Sequence, residues 1–207
     1  MITSKKMRSQ KGFTLTEIAI VLGIMGLILG AIWTAASAVY SNRRSEEAQI
    51  AVLQAVQAVR VLYSTQAQLD ELGNMNERLS MAGALPKNLV VYNNDGSFKD
   101  TAGPFPNGKF EVTAIDERTF AVTMSLVPRE NCINIIPIIG GNSRDPGLLE
   151  VIVSPSTSSY ISQPQCANEH PMTQPATVGG ATTGGDNTTT GHCASAMNQV
   201  SFCFSLK

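Results

Sequence analysis

The chain has 207 residues, 43% of them hydrophobic and 6% aromatic, with 15 basic and 16 acidic side chains and a formal net charge of −1. That length holds one domain plus a long membrane segment, or at most two small domains. Lys5, Lys6, Arg8 and Lys11 stand among residues 1–12 without an acid, so the remainder is mildly acidic, which argues against a general nucleic-acid-binding surface built on clustered bases.

In chain order, the basic stretch 1–12 comes first and an apolar run follows at once. Between Lys11 and Arg43 the single charged side chain is Glu17. The run ends at about Tyr40, long enough to cross a bilayer as a helix, which needs roughly 20 apolar residues. Bases beside such a segment stay cytoplasmic, so the N-terminus is predicted inside and the C-terminal body outside. A secretory signal has a short apolar core with its cleavage site behind it. Here the core is too long and the plausible cleavage point, Gly12-Phe13, lies in front, so cleavage would leave the helix on the product.

A carboxylate at the edge of an apolar segment is costly and marks a functional-site hypothesis. The plainer reading of Glu17 is a favourable charge at a helix N-terminus, worth about 0.3–1 kcal/mol. Gly26 and Gly30 form a G-x-x-x-G pair of the kind that permits close helix approach, although small residues are common throughout this run. Trp33 reads as packing or lipid-facing.

Ser41 to about Leu72 contains no Pro, and the first Gly after it is Gly73. Glu46, Gln49, Gln54, Gln57, Arg60 and Ser64 fall on one helical stripe, with Val52, Ala55, Val56, Val59, Leu62 and Tyr63 on the other side. The membrane-like helix is therefore expected to run into an amphipathic one over 41–72, a rod approaching roughly 90 Å at about 1.5 Å per residue. Gly73-Asn74 is expected to end it as a C-cap.

Further on, Glu77–Met81 suggests a helical turn and Val90–Tyr92 a short strand closed by the turn signal Asn93-Asn94-Asp95-Gly96. Residues 109–114 and 119–124 read as two strands of a hairpin joined by Ile115-Asp116-Glu117-Arg118. Pro128 to Cys132 opens a short helix that Pro137 and Gly140-Gly141 should end. Leu148–Val153 is rich in β-formers. Gln199–Leu206 is a last strand alternating Val200, Phe202 and Phe204 against Gln199, Ser201, Cys203 and Ser205. Residues 173–192, dominated by Thr, Gly, Ala and Asn, read as a long flexible loop.

Cys132, Cys166, Cys193 and Cys203 all lie in the C-terminal half. On the outer side of the membrane an even count favours two disulfides, with three connectivities possible. The rival idea is a metal site from Cys166-x-x-x-His170 and His192-Cys193, whose spacing matches no recognised zinc pattern. Asn187-Thr188-Thr189 fits a glycosylation sequon, a pattern common by chance. No G-x-S-x-G, P-loop or H-E-x-x-H occurs, and His170 and His192, both in loop-like sequence, lack a convincing nucleophile context. No cofactor, metal or catalytic residue is expected.

Gly12-Phe13-Thr14-Leu15-Thr16-Glu17, with the apolar helix behind it, resembles the class III signal sequence of type IV pilins and type II secretion pseudopilins. The resemblance implies an α+β pilin fold, in which a long N-terminal helix packs on an antiparallel sheet in a head domain. It implies a cleaved leader over 1–12, cut by prepilin peptidase between Gly12 and Phe13, N-methylation of Phe13, and Glu17 as the acid that assembly uses. Val21-Leu22-Gly23-Ile24-Met25-Gly26, Phe120-Ala121-Val122-Thr123 ahead of Cys132, and His192-Cys193 before the final strand resemble the type IVb, toxin-coregulated branch. That likeness implies the pairing Cys132–Cys193, which leaves Cys166–Cys203.

The organisation expected is thus a filament-core helix over 13–40, its amphipathic continuation over 41–72, and a disulfide-bonded head over 73–207. The implied partners are other copies of the chain, prepilin peptidase, the inner-membrane assembly machinery and the membrane. The implied location is the bacterial inner membrane and then a surface filament. Rivals are a minor pseudopilin of a type II secretion system and a membrane-anchored periplasmic enzyme.

Overall fold

The computed structural model describes residues 14–66, 68–69, 72–140, 145–166, 177–180 and 193–206. They fall into two compact units, Met1–Tyr40 and Ser41–Lys207. Helix α1, Leu15–Leu62, supplies residues to both.

The second unit is α+β. Its elements after α1 are β1 (Gly73–Asn74), α2 (Asn76–Met81), a 3-10 turn at Lys87–Leu89, β2 (Val90–Tyr92), β3 (Phe98–Thr101), β4 (Phe110–Ala114), β5 (Thr119–Pro128), α3 (Arg129–Gly140), β6 (Leu148–Pro155), β7 (Thr177–Gly180) and β8 (Met197–Ser205). Six strands form one sheet in the order β1-β4-β5-β8-β6-β7, and β2 and β3 form a separate hairpin. Every pairing is antiparallel except that of β7 with β6 at the edge.

The long helix packs on this sheet because its head segment is two-faced. Ala48, Ala51, Val52, Ala55, Val56 and Val59 are buried. They share one core with Phe110 and Val112 of β4, Phe120, Val122 and Met124 of β5, and Val200, Phe202 and Phe204 of β8. The alanines let the helix sit close to the pleat, and the phenyl rings fill the space between. Phe120 and Phe204 stack across the β5–β8 pair with centroids 5.7 Å apart. Cys132, Ile135, Ile136 and Ile139 of α3 join the same core.

Three expectations are corrected. First, α1 ends at Leu62, ten positions before Leu72. The Tyr63 and Ser64 amides still bond back to Val59 and Val61, but the Leu69 amide bonds instead to the Glu117 carbonyl at 2.8 Å, and Leu69 is buried there. Tertiary hydrogen bonding and burial outweigh helix propensity over this stretch. Gly73 is consequently no C-cap. At φ 105° it opens β1 and pairs with Ala114, a conformation open to Gly at little cost.

Second, Pro137 does not stop α3, which runs on to Gly140, the first of the two glycines expected to end it. A proline removes one helical hydrogen bond, but buried Ile135, Ile136 and Ile139 hold both sides of it in the core while Pro137 itself faces solvent. Third, the segment expected as one loop over 173–192 contains β7, in register with Glu150–Val153 of β6. The rest of that segment lies outside the described residues.

The polar face of β8 is also buried: Gln199 and Ser201 are 5% and 1% exposed. Residues 156–166 cross this outer face. Gln199 accepts from the Ser162 amide at 3.0 Å and donates to its carbonyl at 2.7 Å, and Thr123 donates to Ser201 at 2.9 Å.

Asn76 closes the β4 edge that the two-residue β1 leaves open. Its Nδ2 donates to the Phe110 carbonyl and to Thr101 Oγ1, both at 3.0 Å, and its Oδ1 accepts from the Val112 amide at 2.9 Å. The Met75 amide donates to the Val112 carbonyl at 2.8 Å. Asn76 is 2% exposed, so truncation strands the buried Val112 amide rather than returning it to water, while the Phe110 carbonyl keeps the Thr101 hydroxyl. Asn76→Ala should lower stability by about 2–4 kcal/mol. Urea unfolding of the full chain in detergent checks this, and a loss under about 0.5 kcal/mol, within the range of ordinary surface substitutions, would refute it.

Candidate functional site

The chemistry-bearing end of the chain is the start of α1. Thr14 caps it: the Glu17 amide donates to Thr14 Oγ1 at 3.3 Å and to the Thr14 carbonyl at 3.1 Å, and the Ile18 amide donates to the same carbonyl at 3.2 Å. A threonine hydroxyl bonding the amide three residues on is a standard N-cap. The spacing Thr14-x-x-Glu17 is its sequence signal, one that the sequence reading did not use. Glu17 stands in the first turn and is exposed. Gly12 and Phe13, the predicted cleavage and methylation positions, lie outside the described residues.

Behind Glu17 the helix has no polar side. Leu15 and Trp33 are 86% and 79% exposed, and Ile18, Ile20, Val21, Leu22, Ile24 and Met25 are exposed too. Near-consecutive apolar positions at about 100° steps cover the whole circumference. The stretch is long and apolar enough to cross a membrane and is not buried within the chain. Contiguous apolar surface on this scale marks a membrane or partner contact. At Gly23, Gly26 and Gly30 an added Cβ would meet nothing within 4 Å, so the gap each glycine leaves opens outward.

The four cysteines all lie in the second unit. Cys132 is joined to Cys193 and Cys166 to Cys203. Both Cys166 and Cys193 are therefore unavailable as thiolate metal ligands, which removes the zinc alternative as framed; His170 and His192 lie outside the described residues. The first bridge ties α3 to the approach to β8 in the main core. The second ties the strap 156–166 to the outer face of β8, where Cys166, Cys203 and Ala121 form a small separate cluster with Ile115, Leu149 and Ile152 against it.

Two polar clamps, neither legible as a pair in the sequence, fasten α1 to the head. Asn131 of α3 donates to Ser45 Oγ at 2.7 Å and to the Ser41 carbonyl at 3.0 Å. Arg60, from the polar stripe, makes a two-pronged pair with Asp145, both contacts 2.7 Å. The Gly147 amide donates to the same carboxylate at 2.7 Å. A Cβ on Gly147 would sit 2.1 Å from the Arg60 guanidinium, so glycine is what lets the clamp close.

The Arg60 guanidinium holds Asp145 below the ordinary carboxylate range, with the Gly147 amide adding to the effect against the opposing cost of burial. A carboxyl lowered in the folded state stabilises above its unfolded pKa of about 3.9 and loses that contribution as pH falls through the folded value. Stability should therefore decline below about pH 4. Asp145→Asn should cost about 1–2 kcal/mol at pH 7, discounted for partial exposure, and should flatten the acid limb. Urea midpoints against pH for both proteins check this; parallel acid limbs would refute it.

Compared with known families, the chain matches the prokaryotic N-terminal methylation motif over residues 7–33. No curated protein matches it. The motif spans the basic stretch, the Gly12-Phe13 junction, the Thr14 cap, Glu17 and the apolar helix as far as Trp33. It indicates a prepilin-peptidase substrate of the type IV pilin or pseudopilin kind, a structural subunit anchored in a membrane before it assembles.

Proposed function

We propose that this chain is the structural subunit of a type IV pilus, of the toxin-coregulated, type IVb kind. Prepilin peptidase removes residues 1–12, Phe13 becomes the methylated N-terminus, and residues 13–40 leave the inner membrane for the core of a helical surface filament. Residues 41–207 form the head that the filament displays. The observation carrying this reading is the first unit itself: a methylation motif leading into a helix apolar on every side. Such a helix suits lipid before assembly and a bundle of like helices afterwards. The leader's charges hold it in lipid, so the cut is the commitment step. The two disulfides fit a head that works outside the cytoplasm.

The motif is shared with pseudopilins, which supports a second reading as a minor subunit of a type II secretion system. Mass spectrometry and electron microscopy separate the outcomes. A mass beginning at Phe13 plus one methyl group, with long surface fibres on overexpression, supports the pilus. The same mass with short periplasmic stubs supports the pseudopilin. Persistence of the intact leader in cells with active peptidase would overturn both.

A further inference from the structure

The head carries a preformed groove of ≈ 550 Å³, within the roughly 300–1,000 Å³ of small-ligand sites. Its cations come from three elements: Arg44 of α1, Lys99 of β3 and Lys109 ahead of β4, with Asp100 the one acid among the lining residues. Lys109 and Asp100 pair at 2.5 Å, which leaves the lining with more positive than negative charge. Glu46 and Glu47, next along α1, do not line it.

One wall is a rigid turn, residues 103–108. The Gly103 amide donates to the Gly108 carbonyl at 2.8 Å, and the Gly108 amide to the Phe105 carbonyl at 3.1 Å. Phe105 is buried, Asn107 is left-handed at φ 59°, and a Cβ on Gly108 would lie 2.5 Å from the Ser125 carbonyl oxygen. The turn's own hydrogen bonds and packing thus shape that wall.

Its place in the chain points to the occupant. Arg44 follows Tyr40, the end of the exposed apolar stretch, by four positions. A basic side chain that close to a membrane segment reaches the headgroup layer, and Tyr40 is the amphipathic residue favoured at that depth. We infer that the groove receives the phosphate headgroup of an anionic phospholipid in the outer leaflet before the subunit is extracted. This rests on residues 13–40 being embedded in the membrane. The phosphate lies against Arg44 and Lys99, while Asp100 keeps Lys109 in position, until assembly removes the lipid.

The test uses the full-length processed chain in lipid nanodiscs, with amine-acylation footprinting read by mass spectrometry. In discs holding phosphatidylglycerol, Lys99 labelling should fall roughly fivefold relative to phosphatidylcholine discs, the size expected for one basic group at an anionic surface. Lys87, exposed and absent from the groove, should change much less. Arg44→Gln should remove most of the Lys99 protection, with the disulfides intact by mass as a check on folding. Equal Lys99 labelling in the two lipids, or an equal fall at Lys87, overturns the inference. Protection by millimolar glycerol phosphate in phosphatidylcholine discs also overturns it, because the site then takes a soluble phosphate ester. Resistance of the chain to alkaline extraction, measured alongside, reports membrane embedding separately.

Discussion

Replacing Cys132 and Cys193 together by alanine should lower the head's unfolding free energy by about 4 kcal/mol, from the chain-entropy cost of a loop this long. The bridge closes a sequence separation of 61 residues. Both sulfurs sit in the main core, between α3 and the approach to β8. Opening the bridge frees a long stretch of chain in the unfolded state and loosens the element that carries Asn131 against Ser41 and Ser45. Against a typical total of about 5–15 kcal/mol, that loss should bring the urea midpoint down by about a quarter or more. The Cys166–Cys203 bridge, with a separation of 37, should behave differently despite a similar formal loop entropy. It ties down the strap over the outer face of β8, so its loss should unlatch residues 156–166 and expose Gln199 and Ser201 first. Hydrogen exchange on each double variant distinguishes global from local opening. A Cys132/Cys193 variant that unfolds within about 1 kcal/mol of the parent would show that the surrounding core, rather than the crosslink, carries this region.

These two bridges also show where sequence reading stops. The hairpin of β4 and β5 was legible because its residues alternate and its connection is a turn. The buried face of α1 was legible because Val52, Ala55, Val56 and Val59 recur at helical spacing. The end of α1 was not, since nothing between Leu62 and Leu72 breaks a helix locally; the break comes from the Glu117 carbonyl, far away in sequence. The alternation along β8 set Gln199, Ser201 and Ser205 apart from the phenylalanines but did not say what covers that polar face. It is covered by a strap that hydrogen-bonds Gln199, while Thr123 of β5 satisfies Ser201, and polarity alone does not reveal a covered face. Strands β1, β3 and β7 were missed because each is only two to four residues long and is fixed by its partner rather than by its own side chains. The candidate site reads the other way. Glu17 and the apolar run need no tertiary partner within the chain, so their oddity stands open in the sequence, whereas Arg60 looked like one more solvated charge until the fold brought Asp145 to it.

Glu17→Ala and Glu17→Gln should both be cleaved and methylated normally yet assemble filaments at least a hundredfold less well. A carboxylate carried into an apolar bundle is tolerable when a cation meets it, and leaving one member of such a pair alone costs about 3–5 kcal/mol. In an elongation equilibrium that is a factor of roughly a hundred to several thousand. The proposed partner is the Phe13 amine of an incoming subunit, freed when the leader is cut. The pair would set register, because neighbouring helices that are apolar on every side offer little else to distinguish one axial offset from another. A purely local role for Glu17 predicts something else. Thr14 already caps the helix through its hydroxyl and carbonyl, so the carboxylate adds only about 0.3–1 kcal/mol at the N-terminus, and the neutral Gln variant should polymerise almost as well as the parent. Quantifying sheared filaments from cells carrying each variant, beside the mass of the processed subunit, separates the two. Abundant filaments from Glu17→Gln would end the pairing argument, whereas failure of both variants with correct processing places the requirement on the negative charge rather than on the start of the helix.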